Sequence, residues 1–232
     1  MALRVSRRTG GAIMVAAALL AGPALASQIA VTTYDMPNGD GNAHGGSYNY
    51  WDAGYSNCVA NNCTTDGLSG STLSGGAGKL TDGVISTNPW YLVSNQQGTG
   101  EYVGWLYNSP TITFHFASSQ TVKEIRLYVD NSHVGGVTAP DSVIVNGTSF
   151  GNPAWASASA PEFIDITGLS FTGNSISVQL HDPTYWVFLS EAQFFGASGV
   201  PEAGTWMMMT TGLFGLGAMA RRRRHKLAPA KI

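Results

Sequence analysis

The strongest constraint on this chain is a period of two. Between Thr111 and Phe116, the apolar residues Ile112, Phe114 and Phe116 alternate with Thr111, Thr113 and His115. The same alternation returns as Ile125, Leu127 and Val129 against Arg126, Tyr128 and Asp130, and again as Ile176, Val178 and Leu180. Successive side chains of a strand point to opposite faces, so these segments are strands with one apolar face each. "DSVIVNG" and "WVFLSEAQFF" are more continuously apolar and predict deeper burial. Gly, Asn, Asp and Pro bound the runs, which indicates antiparallel pairing. No helical stripe of useful length interrupts them. One-sided strands must bury their apolar face against a second sheet, so the expectation is an all-β antiparallel sandwich.

The two ends do not belong to that pattern. Arg4, Arg7 and Arg8 precede an apolar run from Ala12 to Leu20, and Ala24-Leu25-Ala26 follows. These are the parts of a secretory signal peptide over residues 1–26, with cleavage by signal peptidase after Ala26. At the other end, Trp206 to Ala220 is apolar and runs into Arg221, Arg222, Arg223 and Arg224. As a helix this segment spans roughly 22 Å, against about 30 Å of hydrocarbon. Trp206 and the snorkelling arginines make up the difference, so residues 206–220 are expected to span a membrane. The positive-inside rule leaves the arginines and residues 227–232 cytoplasmic and the preceding domain outside.

Pro201-Glu202, Gly204-Thr205-Trp206, the apolar segment and the arginine cluster together resemble the PEP-CTERM sorting signal of Gram-negative bacteria. The family pattern is Pro-Glu-Pro, and Ala203 stands here at the second proline. The resemblance covers residues 200–226. It implies transient anchoring in the inner membrane, recognition by an exosortase, cleavage near Pro201-Glu202, and delivery to the cell surface or extracellular matrix. Such proteins accompany exopolysaccharide production, which makes an exopolysaccharide the expected partner.

With the ends set aside, residues 27–199 are the length of one domain. That domain holds three basic residues, Lys79, Lys123 and Arg126, against thirteen acidic ones, a net charge of −10. Nucleic acid demands basic patches and is excluded as a partner; neutral glycans and divalent cations are compatible. The two cysteines, Cys58 and Cys63, form a close pair in a chain read as exported, which predicts a disulfide. Residues 27–78 are expected to be partly irregular. From Gly39 to Gly78, ten of forty residues are glycine, interleaved with Tyr48, Tyr50, Trp51 and Tyr55. A long irregular stretch in a compact domain is commonly functional.

No His-Glu-x-x-His helix or P-loop is present, and the five histidines are scattered. "GKLTDGVISTNPWY" and "WVFLSEAQFFG" instead resemble the calcium loop and final strand of galactose-binding-like jelly-roll sandwiches, the discoidin and carbohydrate-binding-module group. That resemblance covers residues 79–196 and implies structural calcium held by Asp82, Thr87 and Glu191. Calcium takes six to eight oxygens, with backbone carbonyls completing the shell. Trp90 sits one residue later than the usual Thr-x-Trp spacing. Taken alone, Asp82-Gly83 reads as a plain turn, with Asp capping its own backbone and Gly at positive φ. A second stretch, "NGDGNA", spaces Asn38, Asp40 and Asn42 like the start of an EF-hand loop, but lacks its Gly and its Glu. The sequon-like Asn146-Gly147-Thr148 carries no weight in a bacterium.

Sugar rings present apolar C–H faces, so a glycan site needs exposed aromatics beside polar groups. Tyr50, Trp51 and Trp155 lie in irregular segments and are the candidates, whereas Trp105 and Trp186 sit in strand-like runs and read as core. The sequence thus predicts an exported, non-catalytic binding or structural protein of the surface or matrix. A secreted polysaccharide-acting hydrolase is the alternative.

Overall fold

The computed structural model describes residues 26–41, 48–58, 63, 71–151, 160–182 and 185–196. The signal peptide (apart from Ala26), the sorting tail, the spanning helix and Trp155 lie outside the described residues. Among the described residues, no helix is long and apolar enough to cross a membrane.

Among the described residues, ten strands follow one another: β1 Ser27–Ile29, β2 Val31–Pro37, β3 Thr72–Gly76, β4 Val103–Leu106, β5 Thr111–Val129, β6 Ser142–Val145, β7 Thr148–Gly151, β8 Glu162–Ile166, β9 Phe171–His181 and β10 Trp186–Gly196. Every strand pairing is antiparallel. The fold is the expected antiparallel β-sandwich.

The two alternating runs at residues 111 and 125 are one strand, not two. The first half of β5 pairs with β2 and β9; the second half pairs with β10 and β8. β5 therefore belongs to both layers and turns the corner between them, near the exposed residues Ala117 to Ser119. Its inward set shifts from even to odd numbers on the way: Ile112, Phe114, Phe116 and Val122, then Ile125, Leu127 and Val129. The shift falls at Lys123–Glu124, where the pairing with β10 slips by one residue, as a β-bulge does. Phe114 from one layer meets Phe194 from the other at 4.8 Å between ring centroids. Around this contact lie Tyr34, Ile125, Leu127, Ile164, Ile176, Val178 and Leu189, all essentially without exposure.

β6 and β7 close through a two-residue turn, Asn146-Gly147, both at positive φ (45° and 83°). That is a type I′ hairpin, for which Asn-Gly is the preferred pair. β10 is buried along most of its length, as its composition suggests. β6 is less so: Val143 and Val145 point inward while Ile144 is half-buried.

Asn38 and Asp40 adopt no EF-hand geometry. Asn38 Oδ1 accepts from the Gly39 and Asp52 amides, and Asp40 Oδ2 accepts from the Leu106 amide at 2.6 Å. Both side chains are buried and serve as buttresses for the irregular segment. Cys58 and Cys63 are bridged, with Cα atoms 5.5 Å apart.

Candidate ligand-binding end of the sandwich

A second apolar cluster lies apart from the main core, on the outer side of β4 and the first half of β10. It is built from Tyr50, Tyr102, Val137 and Phe188, with Tyr48, Trp90, Val93 and Trp186 packed against them. Gly104 makes it possible: a Cβ there would stand 2.2 Å from the Phe188 ring, so only glycine lets that ring lie flat on β4. Trp90 stacks on Phe188 at 5.9 Å with 4° between planes, and Trp186 stacks on it at 5.5 Å with 24°. Tyr50 meets Phe188 and Trp186 edge-on from beneath, at 4.8 and 5.0 Å. These are the offset and T-shaped geometries that ring quadrupoles favour.

Polar contacts fix the outer members. Asp130 is fully buried at the end of β5; its Oδ2 accepts from the Trp90 amide at 2.5 Å and its Oδ1 from the Ser132 amide at 2.7 Å. Trp90 Nε1 donates to the Val134 carbonyl at 3.1 Å, and the Tyr185 amide donates to Asp182 at 3.0 Å. The rim so formed leaves Tyr91, Leu92, Tyr107, Val134 and Tyr185 between 40% and 69% exposed, an unusual amount of large apolar surface for one end of a domain. Exposed His133, at φ 60°, sits beside Val134 on the same lip.

Beneath this end runs a buried polar network. Lys79 heads a 3-10 turn, Lys79–Thr81, and is only 7% exposed. Its Nζ donates to the carbonyls of Trp51 (2.9 Å), Gly98 (2.5 Å) and Tyr102 (3.4 Å). Its amide donates to Asp52 Oδ2 at 3.1 Å, and Asp52 also accepts from the Tyr34 hydroxyl. Burial pulls the Lys79 ammonium down to about 8, opposed by the charges of Asp52 and Asp82. Burial likewise raises the Asp52 carboxyl, against the donors of Tyr34 and Lys79.

The residues expected to hold calcium occupy the next turn. Asp82 is exposed; its Oδ1 accepts from the Val84 amide at 2.8 Å, with Gly83 at φ 83°. Glu191 is 2% exposed, and its Oε2 accepts from the Gly83 amide at 3.2 Å. A one-residue bulge at Ser190 puts Glu191 on the same face as Tyr128, under the 79–86 segment. Burial pushes its carboxyl up to about 7, and Asp82 adds to the rise. The fold thus brings Asp82 and Glu191 together. Thr87 is exposed and lines a separate pocket with Ile85, Tyr128, Glu162 and Phe163. Among the described residues, no three His, Cys, Asp or Glu side chains gather as a metal site.

Of the aromatic candidates, Tyr50 lies under the rim, 8% exposed. Trp51 is half-buried, its ring held over Gly41 and Gly98. Trp90, Tyr91, Tyr185 and Lys79 did not emerge from the sequence as site residues. The usable signals were the tryptophan that follows the Asp-Gly turn, and a lysine flanked by glycine and leucine in a domain with only three basic residues.

No curated protein matches the chain. Among solved structures, the CBM32 of AlyQ in complex with 4,5-unsaturated mannuronic acid is similar over 74% of this chain and 99% of that one, at 13% identity and a TM-score of 0.40. The Streptococcus pneumoniae β-galactosidase BgaA is similar over 51% of this chain and 83% of that one, at 15% identity and a TM-score of 0.36. A fucolectin from striped bass (Morone saxatilis) serum is similar over 51% of this chain and 40% of that one, at 12% identity and a TM-score of 0.34. The family reading drawn from residues 79–196 holds and extends further toward the N-terminus. The profile of the discoidin domain-containing receptor 1/2 DS-like domain matches residues 30–196, and the chain belongs to that family.

Proposed function

We propose that this domain binds a polysaccharide without cleaving it, through the aromatic rim around Trp90 and Trp186. The observation that carries the reading is the ring stack of Trp90, Phe188 and Trp186, with Tyr91 and Tyr185 left exposed beside it. Rigid rings offer a flat apolar surface for the C–H face of a sugar at little entropic cost, and Tyr hydroxyls and His133 at the edge supply polar partners. The net charge of −10 over residues 27–199 favours a neutral polymer, with an exopolysaccharide as first partner. Trp51 would flank the rim and Tyr50 would set it from below, while Trp155, outside the described residues, stays a sugar-contact candidate from the sequence alone.

Structural calcium belongs to the same reading. Glu191 is a buried carboxylate beside a second carboxylate, and a divalent cation between them would relieve both the desolvation and the repulsion. Asp82 and Glu191 would supply carboxylate oxygens and backbone carbonyls the remainder, while Thr87, placed in the neighbouring pocket, is left out of the shell. The ion would brace the turn and take no part in sugar contact.

Export by the signal peptide and sorting by an exosortase would place the domain at the surface or in the matrix. A mature surface form beginning near Ser27 and ending near Pro201-Glu202 supports this; one that keeps Arg221 to Arg224 contradicts it. For binding, the exported protein is screened on a glycan array with and without calcium. Retention on one class of neutral polysaccharide, reduced in Trp90→Ala, is expected. No carbohydrate retained under either condition would overturn the reading.

A further inference from the structure

Lys79 is the one buried cation of the described fold, yet nothing in sugar stacking or calcium ligation uses it. An ammonium taken out of water is costly unless its protons are matched. Here the match is complete: three N–H groups face three backbone carbonyls, those of Trp51, Gly98 and Tyr102. The carbonyls come from separate stretches of irregular chain, and each stretch leads into the aromatic cluster. Trp51 follows Tyr50. Gly98 closes the turn after Asn95, which bridges to Asn49 and follows the α1 turn (Trp90–Val93) that carries Trp90. Tyr102 belongs to the cluster and enters β4. Loops without a ladder have few means of holding their carbonyls in register, and a shared charged donor is a strong one. The stem of Lys79 is anchored in turn: its amide is held by Asp52, and the neighbouring Leu80 is buried in the main core.

We propose that Lys79 is a positioning residue for the aromatic end: its ammonium fixes the three segments that present the rim, while the sandwich core stands without it. This deepens the sugar-binding reading and rests on it only where affinity is measured. The charges facing Lys79 are Asp52, through its own backbone amide, and Asp82 on the following turn. Both favour the charged form, so the hub is electrostatically supported as well as hydrogen-bonded.

The test compares Lys79→Met, which keeps the stem and removes all three donors, with Lys79→Arg and with Val143→Ala. Val143 is fully buried on β6, in the main core and outside the second cluster. Near-ultraviolet circular dichroism reads the packing of the stacked rings and needs no ligand; far-ultraviolet dichroism reads the strands. Lys79→Met is expected to lose at least half of the near-ultraviolet signal with the far-ultraviolet spectrum retained, and Lys79→Arg to recover part of it. Val143→Ala should lower the melting temperature and leave both spectra unchanged below it. Affinity for the polysaccharide retained on the array should fall at least tenfold in Lys79→Met. The proposal is overturned if Lys79→Met keeps the wild-type near-ultraviolet signal. It is equally overturned if both Lys79 variants lose near- and far-ultraviolet signals together, since Lys79 would then hold the whole fold. A wild-type protein that binds no polysaccharide defeats the functional reading alone; the spectra still decide the role of Lys79.

Discussion

The main core and the aromatic end solve the same problem with different materials. Between the two layers, aliphatic and phenyl side chains from regular strands interdigitate, and every one of the twelve largest buried chains but Tyr102 and Phe188 belongs to that cluster. At the aromatic end the strands contribute two residues, Trp186 and Phe188, while the α1 turn and irregular segments supply the others. The core is held by area, which is non-directional. The aromatic end is held by ring geometry, by carboxylates that cap loop amides, and by one buried ammonium. Directional contacts place a few groups accurately but leave large rings at the surface, as a binding site requires and a core does not.

The largest way to break the first region is Phe114→Ala. Phe114 has no exposure and touches both Tyr34 and Phe194. The cavity should cost about 3–5 kcal/mol. At about 2–4 °C per kcal/mol, the melting temperature falls on the order of 10 °C, and both regions melt together. A calorimetric scan checks this; a change of only a degree or two would mean the layers do not depend on their shared contact.

Glu191 sharpens the comparison, because it sits on a core strand but faces the loops. Free calcium at a hundredfold its Kd should stabilise the wild type by about 2.7 kcal/mol, and Asp82→Ala or Glu191→Gln should remove most of that increment. The pH dependence is measured in chelator. The folded carboxyl is raised from the ordinary 4.5 to about 7, so the folded state holds the proton more tightly than the unfolded state. The stability this group contributes is complete at low pH and is lost as pH rises from about 4.5 to 7. Glu191→Gln should flatten that slope in urea titrations across the window. An unchanged slope would show that Glu191 is not the group responsible.

Gly104→Ala acts on the second region. The added methyl collides with the Phe188 ring, and overpacking of this kind costs about 1–3 kcal/mol. The ring stack should lose its near-ultraviolet signal while far-ultraviolet dichroism stays. Removing the disulfide with Cys58→Ser and Cys63→Ser should do less. The bridge closes a loop with a sequence separation of 5, so its effect falls below the roughly 3 kcal/mol of a 15-residue loop. Urea midpoints with and without the bridge measure it.

Legibility follows the same divide. The alternation at residues 112–116, 125–129 and 176–180 placed the core-facing side chains, because burial of one strand face writes a period of two into sequence. It did not show that two of those runs are one strand, since a corner with a bulge reads like a break between strands. Short strands such as β4, where all four residues are buried, have no alternation to find. The Asn146-Gly147 hairpin is legible from its dipeptide, because both positions need positive φ. The aromatic end carries no period at all. Tyr50 and Trp90 are forty residues apart, and their meeting depends on Gly104, Asp130 and Lys79, each ordinary in isolation. Asp82 and Glu191 were paired through a family pattern, and the structure shows the local physics behind it: a bulge at Ser190 and a glycine amide between the two carboxylates.

The central claim is that the second region binds while the first only supports it. Isothermal titration of the polysaccharide class retained on the array, using wild type, Trp90→Ala and Tyr185→Ala, tests it most directly. Tyr185 is 54% exposed and Trp90 half-buried, so both variants should melt close to the wild type, within about 1–2 kcal/mol of stability. The account predicts affinity losses of at least tenfold for Trp90→Ala and severalfold for Tyr185→Ala, with folding intact. Affinity unchanged in both variants, in protein that folds normally, would contradict it.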